Sequence, residues 1–310
     1  MVIYQNIEAI NMRKIKMILD TDIGDDIDDA FALAFAVNHK DLDLIGITTV
    51  FKHTKARAYQ AGKYLNTIGR EDIDVCVGIE TPIIEPIRYF EKDKPNKDGI
   101  VLPPQYDSTY DGYQISKQDA IDFIIEKSKT YKDELVVVPI GPLTNIAAAI
   151  QKEPNIMKNI KKIVLMGGWF NNEKPEWNIL CDPEAADIVF KSGIPIYAVG
   201  LDVTLQCTVE QSLLNLIKHN ASSHGKLLAL WFDRWIKHFD FEKSVMHDPL
   251  AIATLVSDVC TFEPKYVSID LDKNRGAITI NQKEGSLVHV ATNVDKNLFY
   301  KLFKETIYGL

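Results

Sequence analysis

The four cysteines, Cys76, Cys181, Cys207 and Cys260, include no CxxC pair. Their wide spacing makes free thiols in a reducing cytoplasm the simplest expectation. Long hydrophobic runs are also missing: stretches such as AFALAFAV fall far short of a bilayer span, so no membrane helix is expected. An excess of basic residues is lacking too. The net charge is −8 and the 35 lysines and arginines are scattered, which disfavours a nucleic-acid surface. The opening residues MVIYQNIEAINMRKIK hold neither an apolar signal core nor a small-residue cleavage site, so secretion is not expected. No repeat, low-complexity tract or linker divides the chain, and one domain over residues 1–310 is expected. What remains, 46% hydrophobic and 25% charged residues, is enough to build a sizeable core.

Strand-like runs alternate with helical patterns, as βαβ units require. Strands are predicted at 14–19, 42–50, 75–78, 135–140, 162–166 and 194–199. Helices are predicted at 28–37, 55–68, from Ser116, after GPLTN, from Pro183, and over 226–239 and 248–256. Residues 80–113, rich in proline and charge, read as a long surface loop of the kind that carries function. The last fifty residues suggest a short antiparallel piece and a closing helix. The expected fold is α/β: an open, mostly parallel Rossmann-like sheet with helices on both faces and a small antiparallel extension. Polar clusters follow the strands directly (DTDIGDD, FKHT, GPLTN, GGWFNN), so they should converge on one crevice at the strands' carboxyl ends.

The densest cluster is MILDTDIGDDIDDAFALAFAV, with six aspartates, Asp20, Asp22, Asp25, Asp26, Asp28 and Asp29, inside ten residues. A helix N-terminus stabilises one or two acids. The others would repel one another at a buried strand end unless protons or a cation neutralise them. A hard divalent cation with oxygen ligands is the natural partner. An EF-hand is excluded, because its glycine and glutamate positions hold Asp25 and Phe31. A strand followed by Asp-x-Asp also begins the haloacid-dehalogenase-type phosphatases, although Gly24 stands where they carry threonine.

DTDIGDDIDDA, GITTV, VPIGPLTNIA, PEWNILCDPEAA and VMHDPLAIA occur in order between residues 18 and 254. Together they resemble the nucleoside hydrolase family. The resemblance implies a calcium-dependent enzyme that cleaves the N-glycosidic bond of ribonucleosides, forming homodimers or homotetramers. It implies that Asp22 is both calcium ligand and base for the attacking water. Asp29, Asp248 and the carbonyl of Ile140 would complete the ion's ligands. Asp28, Glu176 and Asn178 would bind the ribose, and His247 would face the leaving base.

The sequence departs from the family pattern in three places. Five residues rather than three separate Asp22 from Asp28, so Asp25 or Asp26 is an alternative for a role given to Asp22 or Asp28. Lys52–His53 replaces a usual Gly-Asn, making His53 a candidate sugar ligand and suggesting a ribosyl substrate other than a common nucleoside. Asn171 and Asn172 are alternatives for a further sugar contact. Two other functions stay open on these grounds: an Asp-nucleophile phosphohydrolase and a silent binder of ribosyl ligands.

Overall fold

The computed structural model describes residues 14–240 and 244–310. The expectations for the first residues lie outside the described residues. The chain runs β1 (Ile15–Thr21), α1 (Asp28–Asn38), β2 (Leu42–Thr49), α2 (Thr54–Thr67), β3 (Asp74–Val77), α3 (Ala120–Tyr131), β4 (Leu135–Pro139), α4 (Thr144–Lys152), α5 (Pro154–Met157), β5 (Lys162–Met166), α6 (Trp177–Cys181), α7 (Pro183–Phe190), β6 (Ile196–Val199), α8 (Leu201–Thr204), α9 (Gln211–His219), α10 (Ser223–Phe239), α11 (His247–Ala253), β7 (Cys260–Ile269), β8 (Ile278–Asn281), β9 (Ser286–Val294) and α12 (Lys296–Tyr308).

These strands form one sheet in the order β3-β2-β1-β4-β5-β6-β9-β7-β8. The pairings from β3 to β9 are parallel, and β7 is antiparallel to both β9 and β8. The expected antiparallel piece is therefore a continuation of the main sheet. Side chains alternate across the strands and feed two cores. Met17, Leu19, Val136 and Val138 face α1, α10, α11 and α12, while Ile18, Leu135 and Val137 face α3, α4 and α7. Because both faces are covered, β4 is buried at all five positions, which explains its unbroken apolar run LVVVP.

Helix α1 is buried from Asp28 to Ala36. Its four alternate alanines, Ala30, Ala32, Ala34 and Ala36, let α11, α12 and the sheet approach on several sides. Trp231, Phe232, Trp235 and Phe239 of α10 are core residues. The four cysteines are free thiols, three of them buried. No helix among the described residues is long and apolar enough to cross a membrane.

One helix boundary differs from expectation. Helix α3 starts at Ala120, not at Ser116, because Asp119 is the residue whose carboxylate accepts the Asp122 N–H at 2.9 Å. Ser116 is still held along β3, its N–H donating to the Val75 carbonyl at 2.7 Å. Helices α5, α6, α8 and α9 had no prediction. The first three have five residues or fewer, too short for a periodic signal.

Strand order reverses direction between β1 and β4, and at such a switch point the connections leave on opposite faces and open a crevice. Asp20 pairs with Pro139 at that place, so the segments that follow, Asp22 to Asp29 and Ile140 to Asn145, flank one opening.

Candidate active site

A cavity of about 210 Å³ lies at this switch point. Asp22, Asp25, Asp26, Asp28, Asp29, Ile140, Glu176, Asn178, His247 and Asp248 line it, with Phe90, Met166, Trp177 and Leu201 as apolar walls. No lysine or arginine is among its described lining residues. A larger hollow of about 670 Å³, between α7 and the β7–β9 edge, has no comparable cluster of acids.

The six aspartates of the acidic run divide by environment. Asp20 turns into the sheet, where Thr48 Oγ1 and Asn145 Nδ2 both donate to its Oδ1, at 2.6 and 2.7 Å. Burial pushes its carboxyl up to about 7 despite those bonds. Asp25 is an ion-pair partner: Lys52 Nζ lies at 2.8 Å and the Arg57 guanidinium at 2.9 Å. Burial alone would raise its pKa, but the two cations hold it below the ordinary value. Asp25 thus lines the cavity with its charge already balanced by the two cations. Asp26 lines it without a cation of its own, raised to about 6 by burial and by the charges of Asp22 and Asp25.

Asp28, Asp29 and Asp248 form a metal-ready group. Each offers a carboxylate oxygen, and all three atoms lie within 4.8 Å of one another. Helix α1 places the first two side by side in its first turn. Asp248, in the first turn of α11, donates its backbone N–H to Asp28 Oδ2 at 3.2 Å. Burial, then mutual repulsion, raises all three carboxyls well above their usual range. At this separation each ionised pair repels by roughly 3 kcal/mol, taking an effective dielectric near 20. A hard divalent cation relieves that repulsion with the oxygen donors it prefers. The grouping differs in one respect from the expected ligand set: Asp28, expected on the sugar, sits with the other two acids, while Asp22 stands outside the trio.

Asp22 faces the glycine of GPLTN. A Cβ on Gly141 would meet Asp22 Oδ1 at 2.6 Å and Val50 Cγ1 at 3.0 Å. The Asp22 carbonyl accepts from Arg57, which is fully buried and also bonds the carbonyls of Phe51 and Ile23. Burial raises the Asp22 carboxyl to about 6, with Arg57 opposing. Gly141→Ala is therefore expected to displace this carboxylate and abolish most nucleoside cleavage while the far-ultraviolet circular dichroism stays native. Wild-type turnover in that variant would show that Asp22 has more room than these contacts allow.

Glu176 accepts three backbone N–H groups, from Gly168 at 3.0 Å, Asn178 at 2.8 Å and Ile179 at 3.2 Å, and so caps α6. Asn178 Nδ2 donates to the Ile140 carbonyl at 2.9 Å. His247 Nδ1 shares a 2.8 Å hydrogen bond with Thr204 Oγ1, and burial lowers its pKa to about 4. Burial thus favours the neutral imidazole.

Two expected sugar ligands are not brought to the cavity. His53 is the N-cap of α2, its Nδ1 accepting from the Ala56 N–H, and lines a separate groove with Tyr59 and Tyr106. Asn171 is exposed on the loop after β5, where its N–H donates to Asp202. Asn171 and its neighbour Asn172 line another depression of their own, beside Asp270. Lys52 does not line the cavity either; its charge is spent on Asp25 and Asp93. The proposed preference for an unusual ribosyl substrate, which leaned on Lys52 and His53, loses its basis. Sequence reasoning missed Phe90, Trp177 and Arg57. Phe90 sits in the irregular loop, and Arg57 looks like any exposed helix cation until the fold buries it.

These features define a hydrolytic class of doubly wound α/β enzyme, with an acidic, metal-ready cleft at the switch point. The model of the family described as inosine-uridine preferring nucleoside hydrolase matches residues 17–301. The chain therefore belongs to that family and is an N-ribosyl hydrolase. It is 37% identical to "Probable uridine nucleosidase 2" of Arabidopsis thaliana, over 79% of this chain and 78% of the relative. Identity to the pyrimidine-specific ribonucleoside hydrolase RihB of Escherichia coli (strain SE11) is 31%, over 96% and 98%. Among solved structures, the plant nucleoside hydrolase PpNRh1 superposes with a TM-score of 0.82 at 29% identity, covering 95% of this chain and 99% of its own. The purine-preferring ribonucleoside hydrolase of Gardnerella vaginalis superposes with a TM-score of 0.80 at 32% identity, covering 95% and 98%. This membership sets aside the phosphohydrolase alternative. The family is metal-dependent, and the acidic group found here suits such an ion.

Proposed function

We propose that the protein hydrolyses ribonucleosides to ribose and free base with calcium as its cation, and that uridine is among its substrates. The observation that carries this reading is the buried trio Asp28, Asp29 and Asp248 beside Asp22 in one cavity. Asp28, Asp29 and Asp248, with Asp22 and the Ile140 carbonyl, would hold the ion, which when bound supplies charge that acidifies a water and grips sugar hydroxyls.

Asp22 takes the proton of the attacking water, as a carboxylate lining the cavity beside the trio. The surrounding carboxylates favour positive charge developing on the sugar as the bond to the base lengthens. Asn178 steadies the Ile140 carbonyl, and Glu176 fixes the turn that carries Asn178. His247, neutral and anchored through Nδ1 by Thr204, presents its other ring nitrogen as a hydrogen-bond partner for the departing base. Cytoplasmic location and assembly into homodimers or homotetramers belong to the same reading.

Uridine is named because the relatives at 37% and 31% identity carry uridine or pyrimidine in their names, whereas one structural neighbour is purine-preferring. Reducing-sugar release from uridine, cytidine, inosine and adenosine, with calcium and with chelator, tests the proposal. Calcium-dependent ribose release from uridine is expected. No release from any nucleoside in calcium would overturn the function, and release from purines alone would overturn the substrate.

A further inference from the structure

The segment 80–113 has little regular structure, yet it supplies one wall of the cavity, Phe90. The Phe90 ring stacks on Trp177, 4.5 Å between centroids at 15°, and meets Phe239 of α10 edge-on at 5.0 Å. Its backbone is tied to Asp93, whose Oδ2 accepts the Phe90 N–H at 3.0 Å. The same carboxylate, only 2% exposed, pairs with Lys52 at 3.1 Å and with His238 Nε2 at 3.0 Å.

Lys52 is as buried as Asp93, at 3% exposure, and bridges Asp93 to Asp25 of the acidic loop. Its ammonium also lies 4.7 Å from the centre of the Phe90 ring. Phe51 and Lys52 both adopt left-handed backbone conformations, with φ of 65° and 57°. Residues without a glycine's freedom take these only when the surroundings hold them. Here the holders are the N–H bonds of Phe51 and Lys52 to the Ile79 and Glu80 carbonyls, at 2.8 and 2.9 Å. Neither Lys52 nor Asp93 lines the cavity.

We propose that Lys52 and Asp93 are positioning residues, a buried ionic clasp that fastens the 80–113 strap to the acidic loop and holds the Phe90–Trp177 wall against the ribosyl substrate. This rests on the hydrolase reading above. The clasp acts on how well substrate is held, because neither Lys52 nor Asp93 lines the cavity and their contacts with Phe90 set one of its walls, while Asp25, the lining carboxylate that Lys52 also pairs with, keeps Arg57 as a second partner. Two cations, Lys52 and Arg57, face two carboxylates, Asp25 and Asp93, so removing either end leaves a buried charge unbalanced and the strap loosened.

The test compares wild type with Asp93→Asn, Lys52→Met and Lys52→Arg in calcium. Readouts are hydrogen exchange of residues 86–105 in the substrate-free protein, and KM and kcat on uridine. Asp93→Asn and Lys52→Met are expected to speed exchange across the strap, leave β1, β4 and β5 protected, and raise KM about tenfold with little change in kcat. Lys52→Arg should retain most of the wild-type behaviour. If a single variant fails to fold, the double variant Lys52→Met/Asp93→Asn, which removes both charges together, gives the same two readouts.

Strap exchange unchanged in the folded variants overturns the clasp. Faster exchange with unchanged KM overturns its link to substrate. If wild type cleaves no nucleoside, the hydrolase reading fails, while the exchange measurement still decides whether the clasp exists.

Discussion

Asp22→Asn is expected to lower kcat on uridine by on the order of 10²–10⁴-fold, the usual contribution of a positioned general base. The amide keeps the shape of the carboxylate, so it still fits beside Gly141. It cannot accept a proton, and it is a weaker oxygen donor to a cation. The variant should remain folded, because Arg57 bonds the Asp22 backbone carbonyl and not its side chain. Near-normal turnover in Asp22→Asn with ordinary calcium affinity would misplace the base. Asp26, the other lining acid with a pKa near 6, would then be next. Asp25 would not, since Lys52 and Arg57 already occupy it.

Removal of the cation should have the second large effect, on stability as well as turnover. The sign follows from the carboxyls. Asp28, Asp29 and Asp248 have folded pKa values raised well above their ordinary value, and Asp22 is raised to about 6. Such groups favour the folded state while protonated. That contribution is complete below the ordinary aspartate range and is lost as pH rises through the raised values. The metal-free protein should therefore weaken from about pH 4 upward, through 6 and beyond.

A cation that binds the ionised trio reverses this, adding about 2.7 kcal/mol at a hundredfold excess over Kd. Thermal melts with calcium and with chelator, at pH 5.5 and pH 8, check it. The calcium-induced rise in Tm should be larger at pH 8, and chelation should abolish ribose release at both. Equal melting curves with and without calcium at pH 8 would mean that the trio does not take up the ion.

How much of this was legible varied with the kind of signal. The central strands were read within two residues at most ends, because β4 and β5 are buried on both faces and their apolar runs are unbroken. Asp22, Asp29 and Asp248 could be nominated because each falls in a motif that resembles the nucleoside hydrolases. His53 and Asn171 were nominated from position in a motif alone. In the folded chain one caps α2 and the other is exposed beyond β5. The lengthened acidic run hid another distinction, since adjacent aspartates look alike in sequence. Both line the cavity, but Asp25 is paired with Lys52 and Arg57, while Asp26 has no cation beside it among the described ion pairs.

The sequence by itself determined the alternation of buried strands and helices, and with it the crevice at the strand ends. Periodicity and turn residues are local properties that each segment carries alone. Only the tertiary structure decided which carboxylates share a space. Asp28 and Asp248 lie 220 residues apart and meet because α1 packs on α11. Only it decided, likewise, that Lys52 serves Asp93 and not a ligand. Electrostatic partnership depends on distance and burial, and neither exists until the chain has closed on itself.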